Sequence, residues 1–340
     1  MGKKVNNIDT LKNKRLKALT NVTISVVVPV FNEQDNLPEL LKRLFATLDK
    51  INKPYEIILV NDGSQDNSYD VMLEWQAKYP QQLVLVDLMR NFGQHMAVIA
   101  GFMQARGKVI VTLDADLQNP PEEIPKLTSL VIAGHDLVSG VRLYDRKDNF
   151  FRKRISIIIN YIREKITDLK MSDHGCMLRA YSAALVKNML ASQEKSIFIP
   201  ALAYSYARHP IEVTVQHDAR AHGESRYSLY SLIRLNFDLM AGYSLVPIQI
   251  FSVLGVLISL LSLGFFLYLV LRRLWLGPEA EGIFTLFALQ FLLTGITLLG
   301  IGIMGEYVGR IYKEVRGRHR FIIREVVNHS KLAADQNSGD

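Results

Sequence analysis

The sequence predicts an α/β chain in two parts: a cytosolic domain built on a mostly parallel sheet, then a C-terminal two-helix transmembrane hairpin. Three observations predict it. Apolar, β-branched runs alternate with helix-length segments from Thr23 to Leu113. Two stretches, Leu239–Leu271 and Gly282–Gly305, contain no Lys, Arg, Asp or Glu. A mean hydropathy of +0.11 accompanies 40 basic and 33 acidic residues, so apolar and charged residues must be unevenly distributed.

Composition narrows the class further. The 340 residues suffice for one large or two ordinary domains. With 49% hydrophobic and 21% charged residues, the chain is not of the disordered type. Gly 21 and Pro 11 exclude collagen-like and low-complexity architectures. The single cysteine, Cys176, excludes an intramolecular disulfide framework and a multi-cysteine zinc or iron–sulfur site. Within Asp173-His174-Gly175-Cys176 it reads as a packing residue rather than a nucleophile. Residues 1–20 form a basic tail with Lys3, Lys4, Lys12, Lys14, Arg15 and Lys17 but no apolar core of a signal peptide. Two readings of this tail stand: a solvated segment, or a contact with anionic lipid headgroups.

The elements follow in order. Thr23–Val30 is a strand ending before Asn32 and Glu33, and Leu37–Leu48 is a helix. Tyr55–Val60 is a second strand, ending in Asn61, Asp62, Gly63 and Ser64. A helix over Ser68–Lys78, a strand over Leu83–Asp87 and a helix over Gln94–Arg106 come next. Lys108–Leu113 is a fourth strand, ending in Asp114. Near-continuous apolar strands separated by helices imply a parallel sheet covered on both faces. Ligands of such sheets sit at the carboxyl ends of the strands. Asn32/Glu33, Asn61/Asp62 and Asp114/Asp116 therefore converge on one rim. No G-x-G-x-x-G and no P-loop follows the first strand, which argues against a dinucleotide or P-loop NTPase site.

The sharpest local signal is Leu113-Asp114-Ala115-Asp116-Leu117-Gln118. A lone D-x-D is common. At the end of a buried strand, two carboxylates and the Gln118 amide oxygen present hard oxygen ligands suited to Mg²⁺ or Mn²⁺. The competing reading is a pair of solvated carboxylates capping the next helix. Asp62 suits hydrogen bonds from a nucleobase or ribose, although Asn61-Asp62-Gly63-Ser64 is also a turn sequence. Glu33 is similar, with Asn32 or Glu33 as a helix cap in the alternative. His95 has two readings, a place near the ligand pocket at this rim or a surface or capping role.

Arg142, Arg146, Lys147, Arg152, Lys153 and Arg154 form one basic group; Arg220, His222, Ser225 and Arg226 form another. Arginine grips phosphate through its planar donor fork, and ordinary positive-inside bias is the alternative. The pattern lacks aromatic interleaving, so nucleic acid is not an expected partner. Residues 228–245 read as an amphipathic interfacial helix, with a core helix as the alternative. The spans are expected at about 246–271 and 283–305, each covering the roughly 20 residues that cross a ~30 Å hydrocarbon core. Basic flanks on both sides place the 21–227 domain, the 306–340 segment and both termini in the cytoplasm.

Val28-Pro29-Val30-Phe31-Asn32-Glu33, Asn61-Asp62-Gly63-Ser64, Arg90-Asn91-Phe92-Gly93, Asp114-Ala115-Asp116-Leu117-Gln118 and Gly223-Glu224-Ser225-Arg226-Tyr227, with the two apolar spans, carry a resemblance. They resemble the membrane-anchored polyprenyl-phosphate glycosyltransferases of the GT-A, family 2 class, over about residues 22–325. The resemblance implies a Rossmann-like GT-A domain. It implies that Pro29, Asn32, Glu33 and Asp62 hold uridine, and that Asp114, Asp116 and Gln118 hold Mg²⁺ or Mn²⁺ on the diphosphate. Arg142 and Arg152 would hold the lipid phosphate, and a loop with Arg220, Ser225 and Arg226 would close over the donor. Asp114 and Asp116 are the implied catalytic carboxylates.

Further segments (91–95, 112–125, 174–181, 280–288 and 305–318) narrow the resemblance. They match a subgroup that transfers 4-deoxy-4-formamido-L-arabinose from UDP to undecaprenyl phosphate, in lipid A modification and polymyxin resistance. Asn61 stands where that subgroup often has Asp, and Arg226 where it often has Lys. The implied chemistry is inversion by direct displacement in a bacterial inner membrane. An acceptor phosphate is already anionic, so no general base is assigned. A homo-oligomer is compatible with the sequence. Two other readings stand: transfer of glucose, mannose or an N-acetylated sugar, and an inactive lipid-binding scaffold.

Overall fold

The computed structural model describes residues 22–142, 171–173, 175–192, 198–217, 246–276, 283–315 and 320–328. The expected basic tail, the interfacial helix, Arg152, Arg220, Ser225 and Arg226 lie outside these residues. The chain divides into two units. The first contains the sheet and includes residues 320–328, which follow the long helices in sequence.

In chain order the first unit runs β1 (Ile24–Val30), α1 (Leu37–Ile51), β2 (Tyr55–Asn61), α2 (Ser68–Lys78), β3 (Leu83–Leu88), α3 (Gln94–Gln104) and β4 (Val109–Thr112). A 3₁₀ turn, Pro121–Glu123, leads into α4 (Ile124–Ile132) and β5 (Leu137–Arg142). Then come β6 (Arg179–Ser182), α5 (Ala183–Ala191), α6 (Ile199–Tyr206) and β7 (Pro210–Val215). The second unit holds α7 (Val246–Leu276) and α8 (Ile283–Val315), and β8 (Ile323–Val327) belongs again to the first.

The eight strands form one sheet in the order β7-β5-β6-β4-β1-β2-β3-β8. β1 pairs in parallel with β2 and β4, and β2 with β3. β6 runs antiparallel to β4 and β5, and β8 antiparallel to β3. The sheet is therefore mixed, with its parallel centre where the apolar runs predict it. β5 to β8 complete it on the two flanks.

Alternation within the strands builds two cores. Ile24, Val26, Val28 and Val30 of β1 face one layer with Leu37, Leu40, Leu41, Leu44 and Leu48 of α1. Their spacing of three and four residues puts these leucines on one helical face. Pro38 in the first turn of α1 suits an N-terminus, and Asn52 ends it in the left-handed conformation (φ 53). Val27, Ile58 and Val60 face the opposite layer with α3, α5 and α6. α3 packs so close to the sheet that a Cβ on Gly101 would stand 2.3 Å from Val27 Cγ1, so only glycine fits without displacement there.

The amino-terminal edge of the parallel strands is closed by a buried carboxylate. Glu56 is fully buried and accepts from Ser25 Oγ at 2.6 Å, and from Arg106 through its backbone N–H and Nε, both at 2.8 Å. Ser25 Oγ in turn accepts the Gly107 N–H at 2.8 Å. These bonds tie β1, β2 and the turn before β4 together. Loss of one partner of a fully buried pair costs about 3–5 kcal/mol. Arg106 is 42% exposed, so Glu56→Ala is expected to cost about 2 kcal/mol after solvent screening. The melting temperature should fall; a wild-type melting temperature would contradict the assignment.

Candidate active site at the carboxyl rim of the sheet

Parallel pairing sets β1, β2 and β4 side by side in register, Val30 opposite Asn61 and Val27 opposite Thr112. The loops that leave their carboxyl ends therefore meet. The loops after β1 and β2 are stitched by reciprocal bonds. The Asn32 N–H donates to Ser64 Oγ at 3.1 Å, and Asn32 Oδ1 accepts the Gln65 N–H at 2.8 Å. The Glu33 N–H donates to Ser68 Oγ at 2.8 Å, while Glu33 Oε2 accepts from Asn36 Nδ2 at 2.6 Å. Asn32 adopts φ 56, a left-handed conformation that Asn tolerates better than most residues. Pro29 lies one residue before the end of β1, opposite Val60.

Asp62 is buried, and its two carboxylate oxygens accept the backbone N–H groups of Phe92 (2.7 Å) and Gly93 (2.9 Å). Burial raises its pKa, and these two bonds lower it; burial prevails. The carboxylate expected to meet a nucleoside thus fixes the loop before α3. Gly63 (φ 69) lies beneath that same loop, where a Cβ would stand 2.5 Å from the Arg90 carbonyl carbon. Both features lock the second and third rim loops together.

The carboxylates after β4 have a different setting. Burial and the neighbouring charge of Asp116 push the Asp114 carboxyl up to about 7. Gln94 of α3 donates through Nε2 to Asp114 Oδ1 and, with the Arg142 charge, partly offsets this; Glu33 adds to it. Asp116 Oδ1 accepts the Gln118 N–H at 3.2 Å, and Leu117 between them has φ 62. A left-handed leucine is unfavourable by roughly 1–2 kcal/mol, and such strain concentrates at functional sites. The structure therefore brings Glu33, Asp116 and Arg142 each within electrostatic reach of Asp114.

Arg142 leaves β5 with its guanidinium held by Asp173, Nε to Oδ2 at 2.7 Å and Nη2 to Oδ1 at 2.8 Å. Burial opposes the Asp173 charge, but Arg142 and the Gly175 N–H hold its carboxyl below the usual carboxylate range. Arg179, fully buried, donates to the carbonyl oxygens of Asp173 (2.8 Å) and Cys176 (2.9 Å) and so shapes the loop that carries Asp173. Cys176 is buried, and burial pushes its thiol up to about 11, which suits packing and not nucleophilic attack. His95 packs edge-on against Phe198 at 5.0 Å. Burial and the Arg179 charge lower its pKa to about 4, so it is neutral at physiological pH.

Gln94, Asp173 and Arg179 were not singled out by sequence reasoning. Gln94 and Arg179 do fall in segments that carry the closer resemblance. Among the described residues no three His, Cys, Asp or Glu side chains form a metal cluster. The two carboxylates of the D-x-D, one with its proton retained by burial and like charge, nevertheless fit a divalent ion. Such an ion would relieve the repulsion that raises Asp114, and the Gln118 amide would complete an oxygen donor set.

This geometry fixes a pH dependence. Between about pH 4 and pH 7 the folded chain keeps a proton on Asp114 that the unfolded chain has released. The contribution of this group to stability therefore falls as pH rises through that window. In the presence of a chelator, Asp114→Asn should melt above wild type at pH 8. The advantage should shrink toward pH 4, and Mn²⁺ affinity should be lost. A variant that melts below wild type at pH 8 would refute the assignment of a destabilising charge.

A family model described as Glycosyl transferase family 2 matches residues 25–190. An undecaprenyl-phosphate 4-deoxy-4-formamido-L-arabinose transferase of Edwardsiella ictaluri is 48% identical over 315 residues, covering 92% of this chain and 97% of the relative. Its counterpart of Aeromonas hydrophila is 45% identical, covering 93% and 97% respectively. A solved glucosyl-3-phosphoglycerate synthase of Mycobacterium tuberculosis, with Mn²⁺, UDP-glucose and phosphoglyceric acid, is 18% identical with a TM-score of 0.44. It covers 66% of this chain and 79% of that one. Shared identity along nearly the whole length of both relatives, and a family match that runs from β1 into α5, lead to one conclusion: the chain belongs to glycosyl transferase family 2.

Proposed function

We propose that this glycosyltransferase moves 4-deoxy-4-formamido-L-arabinose from UDP to undecaprenyl phosphate. The observation that carries the reading is identity to the Edwardsiella ictaluri transferase over 97% of that protein's length, a span too long to reflect a shared catalytic fold alone. The rim supports it chemically. Two carboxylates with an adjacent amide suit a divalent ion, Mg²⁺ or Mn²⁺, on a diphosphate. When bound, that ion supplies positive charge for the departing UDP.

The chain's own residues then perform positioning and charge compensation. On this reading Pro29, Asn32, Glu33 and Asp62 shape the uridine pocket, with Asp62 acting through the Phe92–Gly93 turn that it holds. Asp114, Asp116 and Gln118 hold the ion. Arg142, fixed by Asp173, directs positive charge toward the lipid phosphate together with Arg152. Arg220, Ser225 and Arg226 close over the diphosphate. An acceptor phosphate oxygen attacks the anomeric carbon as the bond to UDP breaks, inverting that centre. The attacking oxygen is already anionic, so alignment of two anions is the main barrier the site must lower.

The acceptor lipid requires a membrane, and the second unit suits one. Within α8, Leu289–Gly309 is long and apolar enough to cross a bilayer. α7 has no charged residue before Arg272, and Leu257, Leu260, Leu261 and Phe265 on it are exposed, as befits lipid contact rather than a soluble core. We place α7 and α8 as a hairpin in the bacterial inner membrane, with the sheet and both termini in the cytoplasm, where the basic flanks belong. The product then supplies lipid A modification and polymyxin resistance.

The test is product mass from the full chain in detergent with undecaprenyl phosphate, Mg²⁺ or Mn²⁺ and a panel of UDP-sugars. A sugar-phosphate lipid should form with the formamido-arabinose donor, and Asp116→Ala should lower turnover by at least about 100-fold. Product from another donor alone would overturn the sugar assignment. Near-wild-type turnover of Asp116→Ala would overturn the role of the D-x-D.

A further inference from the structure

The strand β8 comes from the segment that follows α8, and it brings a charged side chain to the donor rim. Arg324 pairs through its guanidinium with the carboxylate of Asp87 on β3. Asp87 is 1% exposed, so its charge needs a partner inside the fold. Tyr69 of α2 lies beneath the same guanidinium, 5.7 Å from its carbon to the ring centroid, which favours the cation in that place.

Asp87 also accepts a bond from the rim. Its Oδ1 accepts a hydrogen bond from Asn61 Nδ2 at 2.7 Å. This fixes the orientation of the Asn61 amide, whose Oδ1 then accepts the Ser64 N–H at 3.0 Å. Ser64 Oγ accepts the Asn32 N–H at 3.1 Å. One continuous series of polar contacts therefore runs from Arg324 through Asp87 and Asn61 to Ser64 and Asn32. Asn61 is buried, and both ends of its amide are used.

We propose that Arg324 is a positioning residue for donor binding: acting through Asp87 and Asn61, it holds the Asn61–Ser64 turn in the shape that receives the nucleotide. The inference rests on the reading of this rim as the UDP site. It goes beyond that reading in making donor affinity depend on a strand that follows the apolar helices in sequence. Without the guanidinium, Asp87 keeps the Asn61 amide as its partner but loses its charge partner. The Asn61 amide is then free to turn toward water with the carboxylate.

The test compares wild type, Arg324→Gln, Arg324→Lys and Asp87→Asn as full chains in detergent. UDP binding with Mn²⁺ is measured by calorimetry, and KM and kcat are measured for donor and acceptor. Arg324→Gln and Asp87→Asn should weaken UDP binding and raise the donor KM about tenfold, the scale of one charge-assisted bond. kcat and the acceptor KM should stay within about twofold, and Arg324→Lys should recover most of the affinity. Unchanged UDP affinity in both variants would overturn the proposal. So would an equal rise in donor and acceptor KM, a fall confined to kcat, or failure of both variants to fold, each of which marks β8 as a purely structural edge. Absence of UDP binding by wild type would instead overturn the UDP reading of the rim, and this inference with it.

Discussion

The constraint from which the rest follows is the concentration of negative charge where the parallel strands end. Glu33, Asp62, Asp87, Asp114 and Asp116 all lie at or just below one rim, and Asp62 and Asp87 are almost wholly out of water. Desolvating a carboxylate is expensive without donors. Much of the architecture around the rim supplies those donors. The Phe92–Gly93 turn serves Asp62, Arg324 and Asn61 serve Asp87, and Gln94 serves Asp114. Asp114 and Asp116 stand apart because like charge and burial together leave Asp114 up at about 7. Added positive charge at this pair would relieve that repulsion, which is why the proposed divalent ion suits it.

The two ends of the parallel strands show opposite solutions to the same problem. At the amino-terminal edge, Glu56 is fully buried and satisfied by Ser25 and Arg106, which binds strands together and leaves nothing for a ligand. At the carboxyl end, the carboxylates of Asp62 and Asp87 hold loops, and the carboxylates after β4 repel each other beside a left-handed turn at Leu117. The amino-terminal edge thus serves stability, and the proposed site lies at the opposite edge, where ligands of open α/β sheets bind.

Much of this was legible in the sequence because it depends on short-range pattern. Apolar runs broken by polar turns marked β1 to β4, and strand polarity alone placed Asn32, Asp62 and Asp114 on one rim. What was not legible depends on partners far apart in the chain. Asp173 meets Arg142 across 31 residues, and Arg324 meets Asp87 across 237. No local signal announces either pair. β8 was hidden for a related reason: Ile323–Val327 has two charged residues among five, as an edge strand does, and reads as part of a basic segment. The commitment of Asp62 to two backbone N–H groups was also hidden, because a turn aspartate and a ligand-binding aspartate have the same sequence.

The relation between Asn61 and Asp87 shows how the choice of an amide over an acid becomes intelligible only in three dimensions. In the sequence, Asn61 is simply the first residue of a turn sequence, Asn61-Asp62-Gly63-Ser64. In the fold it is buried at the end of β2, directly beside Asp87 in the parallel register, with 2.7 Å between Nδ2 and Oδ1. An acid at 61 would set two buried carboxylates against each other, and one would have to keep a proton. The amide removes that conflict, donates to the carboxylate on one side and accepts the Ser64 N–H on the other. Asn61 therefore donates to the same carboxylate that pairs with Arg324, and the identity of position 61 and the pairing of β8 with β3 are parts of one polar arrangement.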